Sequence, residues 1–304
     1  MTSASNPTAD AALPIEKPRK PPFWQSSTFR RLIRHRSFMI GLVLFGFVVA
    51  LAVLAPWIAP TDPNRTAIRL RFRPPSWDPV MLLGTDNLGR NILSRVVYGA
   101  QLSLLIGLGV VVMNAVFGVV LGAIAGYFRK LDGPLMRLAD ALMAFPSILL
   151  AIGLAAALGP SAQTAIIALA VVYIPRTARI VRASVLVVRE MEFVQAARAA
   201  GAGHWRIISK HVMPNCMAPL IVQLSFIFAY AVLSEAVLSF LGLGAPPSIP
   251  SWGTMISEGR TYIREAAWLT IVPGCAIAIT VLGLNLMGDG LRDVLDPRLK
   301  IEQG

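Results

Sequence analysis

The chain has 304 residues, of which 55% are hydrophobic and only 14% charged, with a mean hydropathy of +0.64. Apolar content at that level, gathered into runs near twenty residues, argues for a protein of the lipid bilayer. The net charge of +12 would suit a nucleic-acid binder, but the basic residues sit between the apolar runs. Membrane orientation accounts for that placement, so nucleic acid is not expected as a partner.

In chain order, residues 1–22 are rich in Ala, Pro and Ser without a hydrophobic pattern, as in a disordered tail. A basic cluster (Arg30, Arg31, Arg34, Arg36) closes an N-terminal segment, residues 1–37, and leads into the apolar run 38–59. As a helix that run reaches about 33 Å, enough to cross the hydrocarbon core. It exceeds the roughly 7–15 apolar residues of a signal peptide and reads as a retained first span. Pro60, Asp62 and Pro63 end it, and a loop over 60–100 follows. Five further spans are predicted at about 101–127, 135–159, 160–182, 217–240 and 267–288, forming a core over 101–288 ahead of a tail at 289–304. The fold class is therefore all-α, a polytopic membrane protein with six transmembrane helices. Pro175 should kink the fourth span near the membrane edge, with Arg176, Arg179 and Arg182 snorkelling together toward one interface.

Six spans place both termini on one side. Of the 28 lysines and arginines, 20 fall in segments on that side and 8 on the other, so both termini are expected to be cytoplasmic. The polar loop at about 183–216 is then cytoplasmic and the 60–100 loop extracytoplasmic.

No catalytic constellation is present in the sequence. His35, His204 and His211 are too scattered for a metal site, and neither a P-loop nor a nucleophile elbow occurs. Two cysteines give no disulfide framework. The expectation is a transport subunit that binds no metal or cofactor itself; a stand-alone channel or an intramembrane enzyme is the alternative. Gly118, Gly122 and Gly126 recur every four residues and would let a neighbouring helix approach closely. Polar residues at membrane depth are few, and Asn114, Gln223, Glu235 and Asn285 are the candidates for a substrate pathway or gate. Glu235 would line an outer gate or reach headgroup water. Asp140 can pair with Arg137 three residues earlier.

The island 192–215 is the most informative segment. Residues 190–200 are helix-favouring, with small side chains at Ala196, Ala197, Ala199 and Ala200 that suit seating in a groove. Gly201 stands where a helix end needs a left-handed residue. A second helical stretch over 204–213 should stop before Pro214.

These features resemble the permease subunits of dipeptide/oligopeptide ABC importers, over roughly residues 30–300. The resemblance rests on an ordered succession: Leu83-Gly84-Thr85-Asp86-Asn87-Leu88-Gly89-Arg90 with Ser94-Arg95 and Tyr98-Gly99 in the outer loop, then Ala144-Phe145-Pro146 and the 192–215 island. Leu238-Ser239-Phe240-Leu241-Gly242-Leu243-Gly244, Trp252-Gly253, the run from Asn285 to Asp293 and Asp296-Pro297 complete it. The resemblance implies the type I importer permease fold in a bacterial inner membrane. It implies a second permease as heterodimer partner, two ATPase subunits carrying ATP and magnesium, and an extracytoplasmic solute-binding protein. It assigns ATPase coupling to Gln195, Ala196, Ala197, Arg198, Gly201, His211, Pro214 and Asn215. It assigns receptor contact to Gly84, Thr85, Asp86, Gly89 and Arg90. Gln195 stands in place of a glutamate and Asn91 in place of an aspartate, which weakens charge roles there.

Overall fold

The apolar runs fold as helices in the computed structural model, which describes residues 27–78 and 81–295. The proposed tail at 1–22 and the Asp296-Pro297 motif lie outside the described residues. A short helix α1 (Ser27–Arg34) precedes α2 (Arg36–Val53), and Leu54 separates α2 from the single turn α3 (Ala55–Ile58). A loop leads to α4 (Ile92–Tyr127), which is continuous for 36 residues through a π-helical turn at Asn114–Gly118. Then come α5 (Arg129–Met143), α6 (Ser147–Leu158), α7 (Ala162–Val188) and α8 (Glu192–Ala199). Helix α9 (His204–Phe240) runs 37 residues through a second π turn at Ile208–Val212, and α10 (Trp252–Gly259) and α11 (Trp268–Leu295) close the fold.

Five helices, α2, α4, α7, α9 and α11, are long and apolar enough to span a bilayer, and the α5–α6 pair makes a sixth if counted as one broken span. That pair corrects the expectation of a single helix over 135–159: its two halves meet at 88°. The break falls at Phe145-Pro146, since a residue before proline is driven from helical geometry. Helix α6, with 12 residues, rises about 18 Å and is too short to cross alone. Helix α5 carries Arg129, Lys130, Asp132, Arg137 and Asp140 along its 15 residues, a load that keeps it amphipathic.

Other boundaries differ for local reasons. Helix α4 begins at Ile92 rather than near 101 because Asn91 caps it, its side chain accepting from the Ser94 N–H at 2.9 Å. Ser94-Arg95 and Tyr98-Gly99 therefore lie on a helix and not in the outer loop. Helix α7 continues through Pro175 to Val188. The second loop helix does not stop before Pro214: the π turn at 208–212, in which the Met213 N–H bonds the Ile208 carbonyl, carries the helix past the proline.

Helix α9 is the hub, packing against α4, α7, α10 and α11. Close approach is built from glycine. A side chain at Gly118 would meet Thr177 Cβ at 2.7 Å, at Gly122 the Ala178 carbonyl oxygen at 2.5 Å, and at Gly126 Val185 Cβ at 2.7 Å, so the predicted stripe is the seam between α4 and α7. Three buried clusters follow one another along the bundle. One at the Trp252 end joins α2, α4, α9, α10 and α11, and a middle one centres on Ile106, Leu169 and Ile227. The third, at the opposite end, gathers Tyr127, Val181, Val185 and Val188 around the polar loop.

Candidate functional site

At that opposite end the loop residues fold back on the spans that carry them. Val194 of α8 and Ile207, Ile208 and Val212 of α9 are buried against Tyr127, Val181, Val185, Cys216 and Leu220. Arg189 donates from Nη1 to the Gly126 carbonyl at 2.6 Å, pinning the end of α7 to the end of α4. His204 is exposed on the loop, yet its ring is held in place. Its Nδ1 lies 3.1 Å from Tyr127 Oη, and its ring meets those of Tyr127 and Phe128 edge-on. Arg198 lies over the other reach of Tyr127, its guanidinium carbon 5.3 Å from the ring centroid. No local signal marks Tyr127, which ends a glycine-rich span 77 residues from its histidine partner.

Helix α8 ends in a complete Schellman arrangement. Gly201 adopts φ +78°, its N–H bonds the Arg198 carbonyl at 2.9 Å, and the Ala202 N–H bonds the Ala197 carbonyl at 3.0 Å. Ala197 packs partly against the loop's own core, whereas Ala196, Ala199 and Ala200 are exposed. Gln195 is exposed, and its Nε2 donates to the Glu190 carbonyl at 3.0 Å. A glutamate could not make that bond, because a carboxylate has no proton to give. His211 sits half-buried beside the Phe193 ring, and exposed Asn215, next to exposed Pro214, donates to the His211 carbonyl at 2.7 Å. The outward side presents large apolar groups on an otherwise polar loop: Trp205 is 72% exposed, with Met191 and Phe193 also exposed.

The outer-loop motif is organised differently from expectation. Gly84, Thr85, Asp86, Gly89 and Arg90 are all buried, so they do not form an exposed receptor-contact surface. Asp86 accepts from the Leu88 and Arg90 N–H groups at 2.8 Å, from Arg90 Nε, and from Arg95 Nη1 at 2.8 Å. Both arginines reach on to Glu258 Oε2 of α10, Arg90 at 2.6 Å and Arg95 at 2.7 Å. Thr85 bonds the Leu70 carbonyl through its hydroxyl, accepts from the Arg73 N–H, and receives Trp268 Nε1 on its own carbonyl at 3.2 Å. At Gly89, with φ +72°, a Cβ would lie 1.9 Å from the Ala67 carbonyl oxygen, so no other residue fits. The motif is a buried two-arginine, two-carboxylate clamp joining the loop to α4 and α10. Arg95 and Glu258 were not anticipated as its members, since 163 residues separate them in sequence. Among these outer-loop residues Leu88 is exposed.

The mid-depth polar residues divide. Asn114 is fully buried at the π turn of α4, donating to the Val110 carbonyl and accepting from Thr177 Oγ1 at 3.0 Å, and so ties α4 to α7 instead of facing an open path. Glu235 is also fully buried, accepting from Ser103 Oγ at 2.8 Å and Ser239 Oγ at 2.7 Å, so it does not reach headgroup water. Asn285 is half-buried. Gln223 lines a cavity of about 550 Å³ with Asn215, Pro219, Phe226, Ile180 and Arg292. Asp140 pairs with Arg179 of α7 and not with Arg137, while Arg182 takes Asp132. The 88° bend turns α5 to face α7, which brings those acids onto arginines four to five decades of residues away in sequence.

Comparison with known proteins places this architecture. The family described as binding-protein-dependent transport system inner membrane component matches residues 118–301, and the N-terminal TM domain of oligopeptide transport permease C matches residues 22–75. A putative peptide transport system permease protein of Brucella abortus is 59% identical over 275 residues, covering 90% of this chain and 92% of its own. The di/tripeptide transport system permease protein DppC of Pseudomonas aeruginosa is 46% identical with 97% of each chain covered. The dipeptide transport system permease protein DppC of Escherichia coli K12 is 48% identical, with 88% and 91% covered. Among solved structures, inward facing conformations of the MetNI methionine ABC transporter share the fold, with a TM-score of 0.55 at 20% identity over 66% of this chain and 96% of that one.

Proposed function

The chain belongs to the family of binding-protein-dependent transport system inner membrane components, multi-pass permeases and not enzymes, and from that premise we propose that it forms half of the translocation pathway of an ATP-driven peptide importer. Its partners in this reading are a second permease, two ATPase subunits that hold ATP and magnesium, and an extracytoplasmic solute-binding protein. The membrane is the bacterial inner membrane, with both termini cytoplasmic. Gln195, Ala196, Arg198 and Gly201, with Trp205 and Phe193 beside them, dock into an ATPase cleft, while Ala197, His211, Pro214 and Asn215 hold the loop's shape. Motion of the ATPases displaces the loop and the spans welded to it. Coupling is the difference in free energy with which the ATPase grips the loop in two conformations.

The observation that carries this reading is the loop's double character: a core fused to α4, α7 and α9, and an outward patch headed by Trp205. The test is a Trp205→Cys variant labelled with a membrane-impermeant maleimide. Labelling in inside-out vesicles, slowed by the ATPase subunits, is the expected outcome. Labelling only from the extracytoplasmic side would end the proposal.

A further inference from the structure

Three arginines climb one side of α7. Arg182 and Arg179 are neutralised by Asp132 and Asp140 of α5, but among the described residues Arg176 meets no carboxylate. It is exposed, lies midway along α7 (Ala162–Val188), and holds its guanidinium carbon 5.7 Å from the ring centroid of Tyr230, itself 46% exposed. With no carboxylate facing it, the exposed Arg176 guanidinium keeps its donors free for an anion reaching this face. The face continues into the cavity. Ile180, one turn from Arg176, and Phe226 and Gln223, spaced from Tyr230 along the same stripe of α9, all line it, and Arg292 stands at its other end. The groove thus has Arg176 beside it, and Arg292 and the Gln223 amide in its wall.

We propose that Arg176, presented by Tyr230, is a binding subsite for the carboxylate of the transported peptide. A planar guanidinium offers two parallel donors to a carboxylate, and its stacking on an aromatic face holds that fork in place without consuming the donors. The subsite rests on the peptide-cargo reading above and adds a recognition step inside the permease.

The test uses the complete importer in proteoliposomes with trialanine as probe. Arg176→Gln is expected to lower trialanine uptake at least tenfold, with receptor-stimulated ATP hydrolysis and recovery of the partner subunits unchanged within twofold; Arg176→Lys should regain half of the uptake or more. A second readout needs no receptor: Ile180→Cys, in a chain with Cys216→Ser and Cys275→Ser, is labelled by maleimide. Trialanine should slow that labelling at least threefold when Arg176 is present and not when it is glutamine, while trialanine amide should have no effect. Unchanged uptake, equal protection by acid and amide, no protection at all, or loss of partner subunits from Arg176→Gln would each overturn the subsite. If the unaltered importer carries no trialanine, the peptide reading falls and the subsite with it.

Discussion

Asp86→Asn separates two readings of the outer-loop motif. Asp86 is 3% exposed and takes four donors, two of them guanidinium groups of arginines that are themselves 8% and 1% exposed. The amide keeps one acceptor oxygen but removes the charge, leaving two buried guanidinium groups to share Glu258. Removing one partner of a buried ion pair costs about 3–5 kcal/mol. Glu258, with its side chain 32% exposed, can shift toward the arginines, so the lower end, about 3 kcal/mol, is expected. At roughly 2–4 °C per kcal/mol for chains of this size, the melting midpoint of the detergent-solubilised protein should fall by about 6 °C or more. Glu258→Gln, at the wetter end of the clamp, should cost about half as much. The assay is size-exclusion chromatography after graded heating, paired with receptor binding to the fraction that stays folded. Folded Asp86→Asn should bind the receptor within threefold of the unaltered protein. An unchanged midpoint together with lost receptor binding would refute the clamp and restore direct contact by Asp86.

Gly201→Val should leave the chain inserted but uncouple ATP hydrolysis from uptake. No atom crowds a Cβ there, so the penalty is that of a left-handed backbone, at least about 1–2 kcal/mol and more for a β-branched residue; normal transport by a well-expressed variant would defeat the assignment. Gly122→Leu should abolish recovery of folded protein, since even a Cβ would lie 2.5 Å from the Ala178 carbonyl; a midpoint within 2 °C of the unaltered protein would show that the α4–α7 seam can open freely. Glu235→Ala should change uptake more than insertion, with Ser103 and Ser239 left to pair otherwise, and unchanged uptake kinetics would remove Glu235 from the transport residues.

The helical class, the span content and the Gly118/Gly122/Gly126 seam were legible because hydropathy and four-residue spacing are local properties. The α5–α6 break, which Phe145-Pro146 announces, is masked in sequence because the apolar run continues on both sides of the proline. The end of the 192–215 loop is obscured for the converse reason: Pro214 reads as a stop, yet the π turn just before it carries the helix on. At the loop, Gly201 could be found because a Schellman end is written in neighbouring residues. Tyr127 and His204, or Arg95 and Glu258, could not, because only the assembled bundle makes them neighbours. The buried state of Asp86 and Arg90 was hidden by their chemistry, since a charged motif in a loop looks like a surface until the opposite charges that enclose it are located.

Helix α9 begins inside the polar loop and ends at Phe240 beside the α10 end of the bundle, about 55 Å away at 37 residues. Moving as one body through its π turn and Pro219, and pivoting on the buried Ile227, this helix would work as a see-saw. When its Trp205 end swings toward a neighbour, its far end, about 20 Å from Ile227, would swing away by about 3 Å for a ten-degree tilt. Closing one mouth and opening the other are then a single movement, and no signal has to travel between them.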